Sequence, residues 1–322
     1  NDTPEDWAQL SPQGNLIAFW SNRDDGPEHN ATSQGWGSGN RIWVMNPDGS
    51  NQRPLRNEVA GGTSSKHKST WHPDGTRLLV GDNGGKDNGL FIIYLDGSAP
   101  VKVTDDYLNG SWSPDGSQIL SRSSAGIDVM DSDGSNIIRL RNDGSNPRWS
   151  PDGTKIAFSL IPDVWVMNSD GSNATNITAG NCSTYFCYNP SWSPDGTRLV
   201  FKRGRQLVVT TLADGTLSPL TEGNHYDNFP QWSLDGSQIL FTSNRDDDFD
   251  LYTIRPDGSA LRRVTDATGV DGHGSWCGED WILFSSARMG FKDEMALYDA
   301  VPQPYGEIFA MRADGSDTRQ LT

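Results

Sequence analysis

The stretch WSPDG at residues 112–116 decides the fold, because near copies of it recur along the whole chain. Successive copies begin 37 to 44 residues apart, after a first interval of 61 residues. The residues that head the copies are Leu10, Trp71, Trp112, Trp149, Trp192, Trp232 and Trp276. This spacing matches the length of one four-stranded propeller blade, as in WD40-like repeats. Seven heads therefore predict seven blades.

Each repeat has the same internal order. After the WSPDG turn comes an apolar run such as IAFS from Ile156, and then a second run such as VWVMN from Val164. An Asp-Gly pair follows, which favours the positive backbone angles of a tight hairpin. The repeat closes on a pair such as Ile177-Thr178. We expect an all-β fold, a seven-bladed β-propeller of four-stranded antiparallel blades, forming a single domain over residues 1–322.

The order of WSPDG, IAFS, VMN, DGS and a closing Leu-Thr resembles the TolB-like β-propeller repeat over essentially the whole chain. The pattern is more distantly similar to propeller polysaccharide lyases and to the propeller domain of dipeptidyl peptidase IV relatives. This resemblance implies the fold, whereas propellers carry many unrelated activities. The Gly-x-Ser-x-Gly motif of the peptidases' hydrolase domain does not occur in the sequence.

Composition excludes several function classes. The 322 residues include 42 acidic and 26 basic side chains, and the resulting net charge of −16 disfavours nucleic-acid binding. The sequence lacks the run of about 20 apolar residues that a membrane-spanning helix needs. Cys182 and Cys187 are close enough for one local disulfide, and Cys277 stands alone. With six Asn-x-Ser/Thr sequons and a chain that begins without a signal peptide, we expect a processed, secreted or periplasmic, monomeric glycoprotein.

The four predicted strands of each blade are called A to D in chain order. The irregular residues concentrate in the loops that join strand D to strand A of the next blade and in those that join strand B to strand C. In a propeller these loops share one face, and loops on a rigid scaffold commonly carry function. The candidate catalytic residues are His67, His225, His273, Arg148 and Tyr226. The candidate substrate-binding residues are Lys66, Lys68, Arg122, Lys202, Arg203, Trp36 and Tyr188. Basic groups gathered on one face of an acidic chain indicate an anion site.

A 4-linked uronic acid is the ligand that this chemistry favours. Its cleavage by β-elimination needs a cation beside the carboxylate, a base for the C5 proton and an acid for the leaving oxygen. The resemblance to propeller lyases implies His, Arg and a His-bound divalent metal in these roles. We expect Ca or Mn, with His225, Asp227, His273 and Asp271 as candidate ligands. The alternative is that both histidines are ordinary loop residues bonded to the backbone.

The sequence therefore predicts a propeller that recognises a carbohydrate, preferably an acidic one, on the D–A and B–C loop face. Lyase activity is a further hypothesis, and catalysis is left open by the sequence. The competing hypothesis is a non-catalytic propeller that binds a glycan or a protein partner, as the resemblance to TolB implies. The recurring tryptophans are assigned to blade packing rather than to either site.

Overall fold

The computed structural model describes residues 5–21, 41–55, 69–82, 89–105, 109–182, 184–288, 297–298, 301–302 and 307–322. Seven four-stranded antiparallel sheets follow one another along the chain. They form the blades of a seven-bladed β-propeller, and the described residues contain no helix. This confirms the predicted fold class. The chain divides into two compact units, Asn1–Asp143 and Gly144–Thr322, and the expectation of a single domain stays a prediction.

The first unit holds three blades, and consecutive strands within each blade are hydrogen-bonded neighbours. The strands are β1 (Glu5–Leu10), β2 (Ile17–Ser21), β3 (Arg41–Met45) and β4 (Arg53–Pro54) in blade 1; β5 (Ser69–Trp71), β6 (Arg77–Asp82), β7 (Gly89–Tyr94) and β8 (Val101–Thr104) in blade 2; and β9 (Asn109–Trp112), β10 (Gln118–Ser123), β11 (Gly126–Asp131) and β12 (Ile138–Arg141) in blade 3.

The second unit holds four blades and one additional hairpin. The strands are β13 (Ser145–Trp149), β14 (Lys155–Leu160), β15 (Asp163–Asn168) and β16 (Thr175–Asn176) in blade 4; β17 (Cys187–Trp192), β18 (Arg198–Arg203), β19 (Gln206–Thr211) and β20 (Leu217–Pro219) in blade 5; β21 (Asp227–Trp232), β22 (Ile239–Ser243), β23 (Asp250–Ile254) and β24 (Arg262–Arg263) in blade 6; and β25 (Asp271–Cys277), β26 (Trp281–Ser286), β29 (Glu307–Arg312) and β30 (Arg319–Gln320) in blade 7, with β27 (Leu297–Tyr298) and β28 (Val301–Pro302) as the additional hairpin.

The WSPDG motif recurs because its side chains close the turn between strands A and B. In blade 3 the Ser113 hydroxyl donates to the Asp115 carboxylate at 2.6 Å. The same carboxylate accepts the backbone N–H of Ser117 at 3.0 Å, and Gly116 takes a φ of 75° that glycine adopts without strain. These hydrogen bonds, led by the one from Ser113, lower the pKa of Asp115 to about 2. The motif is thus a self-contained turn.

The repeat tryptophans pack between neighbouring blades, as predicted. Trp232 lies in one buried cluster with Val200 and Leu207 of blade 5 and Phe241 of blade 6. Its indole N–H donates to the carbonyl of Ser191 in blade 5 at 3.2 Å. The tryptophans at positions 71, 192 and 276 make the equivalent bond to the preceding blade. Each of these indoles therefore links its blade to the one before it.

Candidate functional site

A disulfide-closed loop precedes blade 5. Cys182 and Cys187 form the predicted disulfide, with their Cα atoms 5.6 Å apart. Between them, Tyr185 and Phe186 are 57% and 58% exposed. The backbone N–H of Gly204 donates to the carbonyl of Phe186 at 3.0 Å, which ties the loop to the turn between β18 and β19. The loop therefore holds two large aromatic rings in solvent, where such rings commonly mark a binding surface.

Beside this loop, two tyrosines and two cations alternate. The Lys202 side chain is almost fully buried, and its Nζ lies 5.2 Å from the ring centre of Tyr188 and 5.9 Å from that of Tyr226. The Arg205 guanidinium lies 4.2 Å from the ring centre of Tyr226. It also donates a hydrogen bond to the side-chain oxygen of Asn224 at 2.8 Å. Cations over aromatic faces attract the ring quadrupole. The arrangement fixes both tyrosine rings and concentrates positive charge around them.

Arg203 differs from its counterparts in the following blades. In blade 6, strand A begins with Asp227, which lies opposite Ser243 at the end of strand B and binds a guanidinium from the next loop. In blade 5 the same register places Cys187 opposite Arg203. No acidic side chain within the described ranges pairs with Arg203, and its buried Nε has no hydrogen-bond acceptor there. Blade 5 thus presents a cation where blade 6 presents a neutralised pair.

We name Tyr185, Phe186, Tyr188, Lys202, Arg203, Arg205 and Tyr226 the aromatic–basic surface. Its local charge contrasts with that of the chain, because residues 196–213 include four basic side chains and no acidic one. A positive region on a chain of net charge −16 attracts anions to that region.

Strand A carries a bulge at the same repeat position in blades 4 to 7. The third residue before each repeat tryptophan has a left-handed backbone: Asn146 at φ 49°, Asn189 at 57°, Phe229 at 52° and His273 at 50°. Such a conformation is strained for the bulky Phe229, and bulges redirect side chains next to functional sites. The rings of Phe229 and His273 meet edge to face with centroids 5.4 Å apart.

Two buried aspartates, Asp227 and Asp271, lie two residues before the bulge residues of blades 6 and 7. The Arg245 guanidinium donates to Asp227 at 2.9 Å, and the Arg288 guanidinium donates to Asp271 at the same distance. Burial raises the pKa of Asp271, and it raises the pKa of Asp250 to about 6 against the opposing effect of the Arg263 guanidinium. Blades 6 and 7 therefore contain an internal network of acids and arginines.

Residues 163–322 match the family model described as the TolB beta propeller domain. The chain is a β-propeller that resembles the TolB-like family. This confirms the resemblance predicted from the sequence. No curated protein matches the sequence.

Solved structures resemble the TolB-like chain at low sequence identity. A putative TolB from Agrobacterium tumefaciens is 23% identical with a TM-score of 0.55, covering 69% of this chain and 83% of the other. An oligogalacturonate lyase from Vibrio parahaemolyticus is 14% identical with a TM-score of 0.69, covering 96% and 90%. An oligogalacturonate lyase in complex with manganese is 15% identical with a TM-score of 0.63, covering 86% and 84%. At these identities the likeness concerns the fold.

The four predicted metal ligands of the TolB-like chain make other contacts in the structure. Asp227 and Asp271 are bound by arginines, and His273 lies against Phe229. His225 is half-buried against Gly223. Across the part of the chain that the structure describes, no three His, Cys, Asp or Glu side chains form a group that could hold a metal. The geometry therefore gives no support to the predicted Ca or Mn site in these four residues.

The remaining predicted residues fall into three groups. Tyr188, Lys202, Arg203 and Tyr226 come together in the aromatic–basic surface. Arg148 is half-buried in β13 and donates to the Pro147 carbonyl, with desolvation lowering its pKa, and Arg122 lies in β10 of the first unit. Trp36, Lys66, His67 and Lys68 lie outside the described residues.

Other features of the TolB-like chain escaped the sequence analysis. The pairing of Arg245 with Asp227 and of Arg288 with Asp271 was missed, although both aspartates stand five residues before a repeat tryptophan. Alignment of the repeats at that position would have shown that blade 5 has Cys187 there instead. Cys277 is half-buried, and burial raises the pKa of its thiol to about 11, so it stays protonated at neutral pH and is a poor nucleophile.

Proposed function

We propose that the aromatic–basic surface binds an acidic carbohydrate. The observation that carries this proposal is the lack of an acidic partner for Arg203 at a repeat position where blade 6 has a buried Asp–Arg pair. The ring of Tyr185 lies against Gly204, the residue that follows Arg203. An exposed aromatic ring therefore lies against the residue next to a guanidinium that has no acidic partner among the described residues.

This combination fits the chemistry of a uronate. The apolar face of a sugar ring stacks on an aromatic side chain, and its carboxylate accepts two parallel hydrogen bonds from a guanidinium. Tyr185 and Phe186 supply exposed rings, and the disulfide limits the conformational freedom that the loop would lose on binding. Lys202 and Arg205 add positive charge near the same site.

Cleavage by β-elimination is a second candidate function. The names of two structural neighbours, both oligogalacturonate lyases, favour it. Within this chain, Tyr226 and Phe229 pack on the same buried pair, Phe249 and Val270, and the Phe229 ring contacts His273. Tyr226 and His273 are thus two proton-transfer groups close to one cluster. In this proposal the guanidinium neutralises the uronate carboxylate. One of His273 and Tyr226 removes the C5 proton as the C4–O bond breaks, and the other donates a proton to the leaving oxygen.

Titration calorimetry with oligogalacturonates tests the binding. We expect Arg203→Gln to weaken binding about tenfold, because a charge-assisted hydrogen bond is lost. We expect Tyr185→Ala to weaken it about threefold to tenfold through the lost ring contact. Arg319→Gln, an exposed arginine of strand D in blade 7, is the matched control and should bind normally. Neutral maltooligosaccharides should bind far more weakly than oligogalacturonates.

The same samples report on cleavage. The ultraviolet absorbance of the unsaturated uronate product should rise with time if the chain is a lyase, and it should fall in His273→Ala and Tyr226→Phe. Binding without such a rise leaves a carbohydrate-binding propeller. Absence of binding to every acidic glycan overturns the proposal and favours a protein partner. The disulfide also supports an oxidising location, secreted or periplasmic. Among the described residues, no helix has the length and apolarity to cross a membrane.

A further inference from the structure

A cavity lies between blades 6 and 7, at the end of the strands opposite to the aromatic–basic surface. Its volume is about 480 Å³, which lies in the range typical of small-molecule sites. The end of strand C and the start of strand D of blade 6 line one side, and the end of strand C of blade 7 lines the other. Both blades belong to the second unit.

The cavity lies beside the hairpin of blade 6, which carries a short side chain after its turn. Ala260 follows the Asp-Gly-Ser turn of blade 6 with a φ of 55°. The same position holds Asn51, Asn136 and Asn173 in blades 1, 3 and 4, at φ values of 55°, 52° and 54°. Asparagine tolerates this left-handed conformation better than alanine does. Blade 6 therefore has a less suited and shorter side chain there, and Ala260 lines open space.

The lining combines an apolar base with guanidinium groups. Ile254 is buried, and Ala313 packs against the core cluster beneath blade 7. Three arginines from two blades, Arg255, Arg262 and Arg312, complete the lining together with two aspartates.

Among the described residues, these arginines form no ion pair shorter than 3.9 Å. The closest acidic contact of Arg312 is with Asp280 at 3.9 Å, which is longer than a hydrogen bond. No side chain within the described ranges forms an ion pair or a side-chain hydrogen bond with Arg255 or Arg262. Three guanidiniums against two carboxylates give this cavity a positive balance within a chain of net charge −16.

We propose that this cavity binds a small organic oxyanion, in which a carboxylate or phosphate group is joined to an apolar body. The planar fork of an arginine matches both oxyanions with paired hydrogen bonds. The apolar body would occupy the space beside Ile254, Ala260 and Ala313. The site is separate from the carbohydrate proposal and does not depend on it.

Binding of benzoate, phenyl phosphate and neutral benzamide, measured by ligand-observed NMR and calorimetry, tests the site. Benzoate and phenyl phosphate should bind and benzamide should not, and the ratio of the two anions distinguishes a carboxylate site from a phosphate site. Arg262→Gln should weaken anion binding about tenfold. Arg53→Gln, an exposed arginine of strand D in blade 1, is the matched control and should have no effect.

Ala260→Asn provides a variant that retains the fold. Asparagine suits the left-handed backbone and restores the side chain found in the hairpins of blades 1, 3 and 4, so the melting temperature should be unchanged or higher. The added amide should occupy part of the cavity beside Ile254 and weaken anion binding. Equal binding of benzamide, or anion binding that is unchanged in both Arg262→Gln and Ala260→Asn, overturns the proposal, as does the absence of any binding at millimolar concentration.

Discussion

The buried pair of Arg245 and Asp227 offers a sharp test of the network in blades 6 and 7. The Asp227 side chain is 1% exposed and that of Arg245 is 12% exposed, with a separation of 2.9 Å. The guanidinium also lies 5.2 Å over Phe241 and 4.8 Å over Tyr252. Arg245→Met keeps an unbranched side chain over these rings but leaves Asp227 buried without its countercharge. Removing one member of a buried pair costs about 3–5 kcal/mol.

Urea unfolding followed by tryptophan fluorescence measures the loss. The control is Arg319→Met, because Arg319 and Asp317 form an ion pair at 2.5 Å with side chains 59% and 41% exposed. An exposed pair contributes less than about 1 kcal/mol. A double variant, Arg245→Met with Asp227→Leu, removes both charges and should regain much of the lost stability. If Arg245→Met lowers the free energy of unfolding no more than Arg319→Met does, burial does not make the Arg245–Asp227 pair more important for stability than an exposed pair.

Three further predictions concern pH, the tryptophan bonds and a glycine. Burial raises the pKa of Asp250 from 3.8 to about 6, so the native state binds the proton more tightly than the unfolded chain does. The free energy of unfolding should therefore fall by on the order of 3 kcal/mol as the pH rises from about 4 to about 6, and Asp250→Asn should remove most of that fall in urea titrations across this range. Trp232→Phe loses the 3.2 Å hydrogen bond to Ser191. It should lower the free energy of unfolding by about 1–2 kcal/mol more than Trp149→Phe does, because the indole N–H of Trp149 has no acceptor among the described residues. Equal losses in urea unfolding would exclude a role for the hydrogen bond. Gly126→Ala places a Cβ 2.0 Å from a backbone oxygen at a φ of 139°, so its melting temperature should drop by several degrees, whereas an unchanged value would show that the hairpin relaxes.

The sequence predicts the blades well because the repeat signal is local. Ser113, Asp115 and Gly116 form the hydrogen bonds of their turn within five residues, so the motif specifies its structure wherever it occurs. The disulfide is predictable for the same reason, since four residues separate the two cysteines. Local chemistry therefore accounts for the blade count, the turns and the positions of the repeat tryptophans.

The site is less predictable because its contacts join distant residues. Arg245 reaches an aspartate 18 positions away, and nothing local in the loop that contains it indicates the partner. The left-handed backbone at Phe229 is also unexpected, because bulky residues rarely adopt it. The predicted metal site depended on His225 and His273 meeting across blades, and His225 lies in the loop before β21 whereas His273 lies in the bulge of β25. Only the packing of the blades decides which of them meet.

Blade 5 shows how a repeat can acquire a site without changing its fold. Blades 6 and 7 begin strand A with an aspartate that neutralises a nearby arginine, which stabilises the internal network and leaves no charge for a ligand. In blade 5 the aspartate is replaced by Cys187, and the residue opposite is Arg203 rather than serine. The first change removes the neutralising acid and also anchors the loop that exposes Tyr185 and Phe186. The second change supplies the cation. Because both changes fall at one register position, the strand pairing is kept while the neutralised pair of blade 6 is replaced in blade 5 by a guanidinium next to exposed aromatic rings.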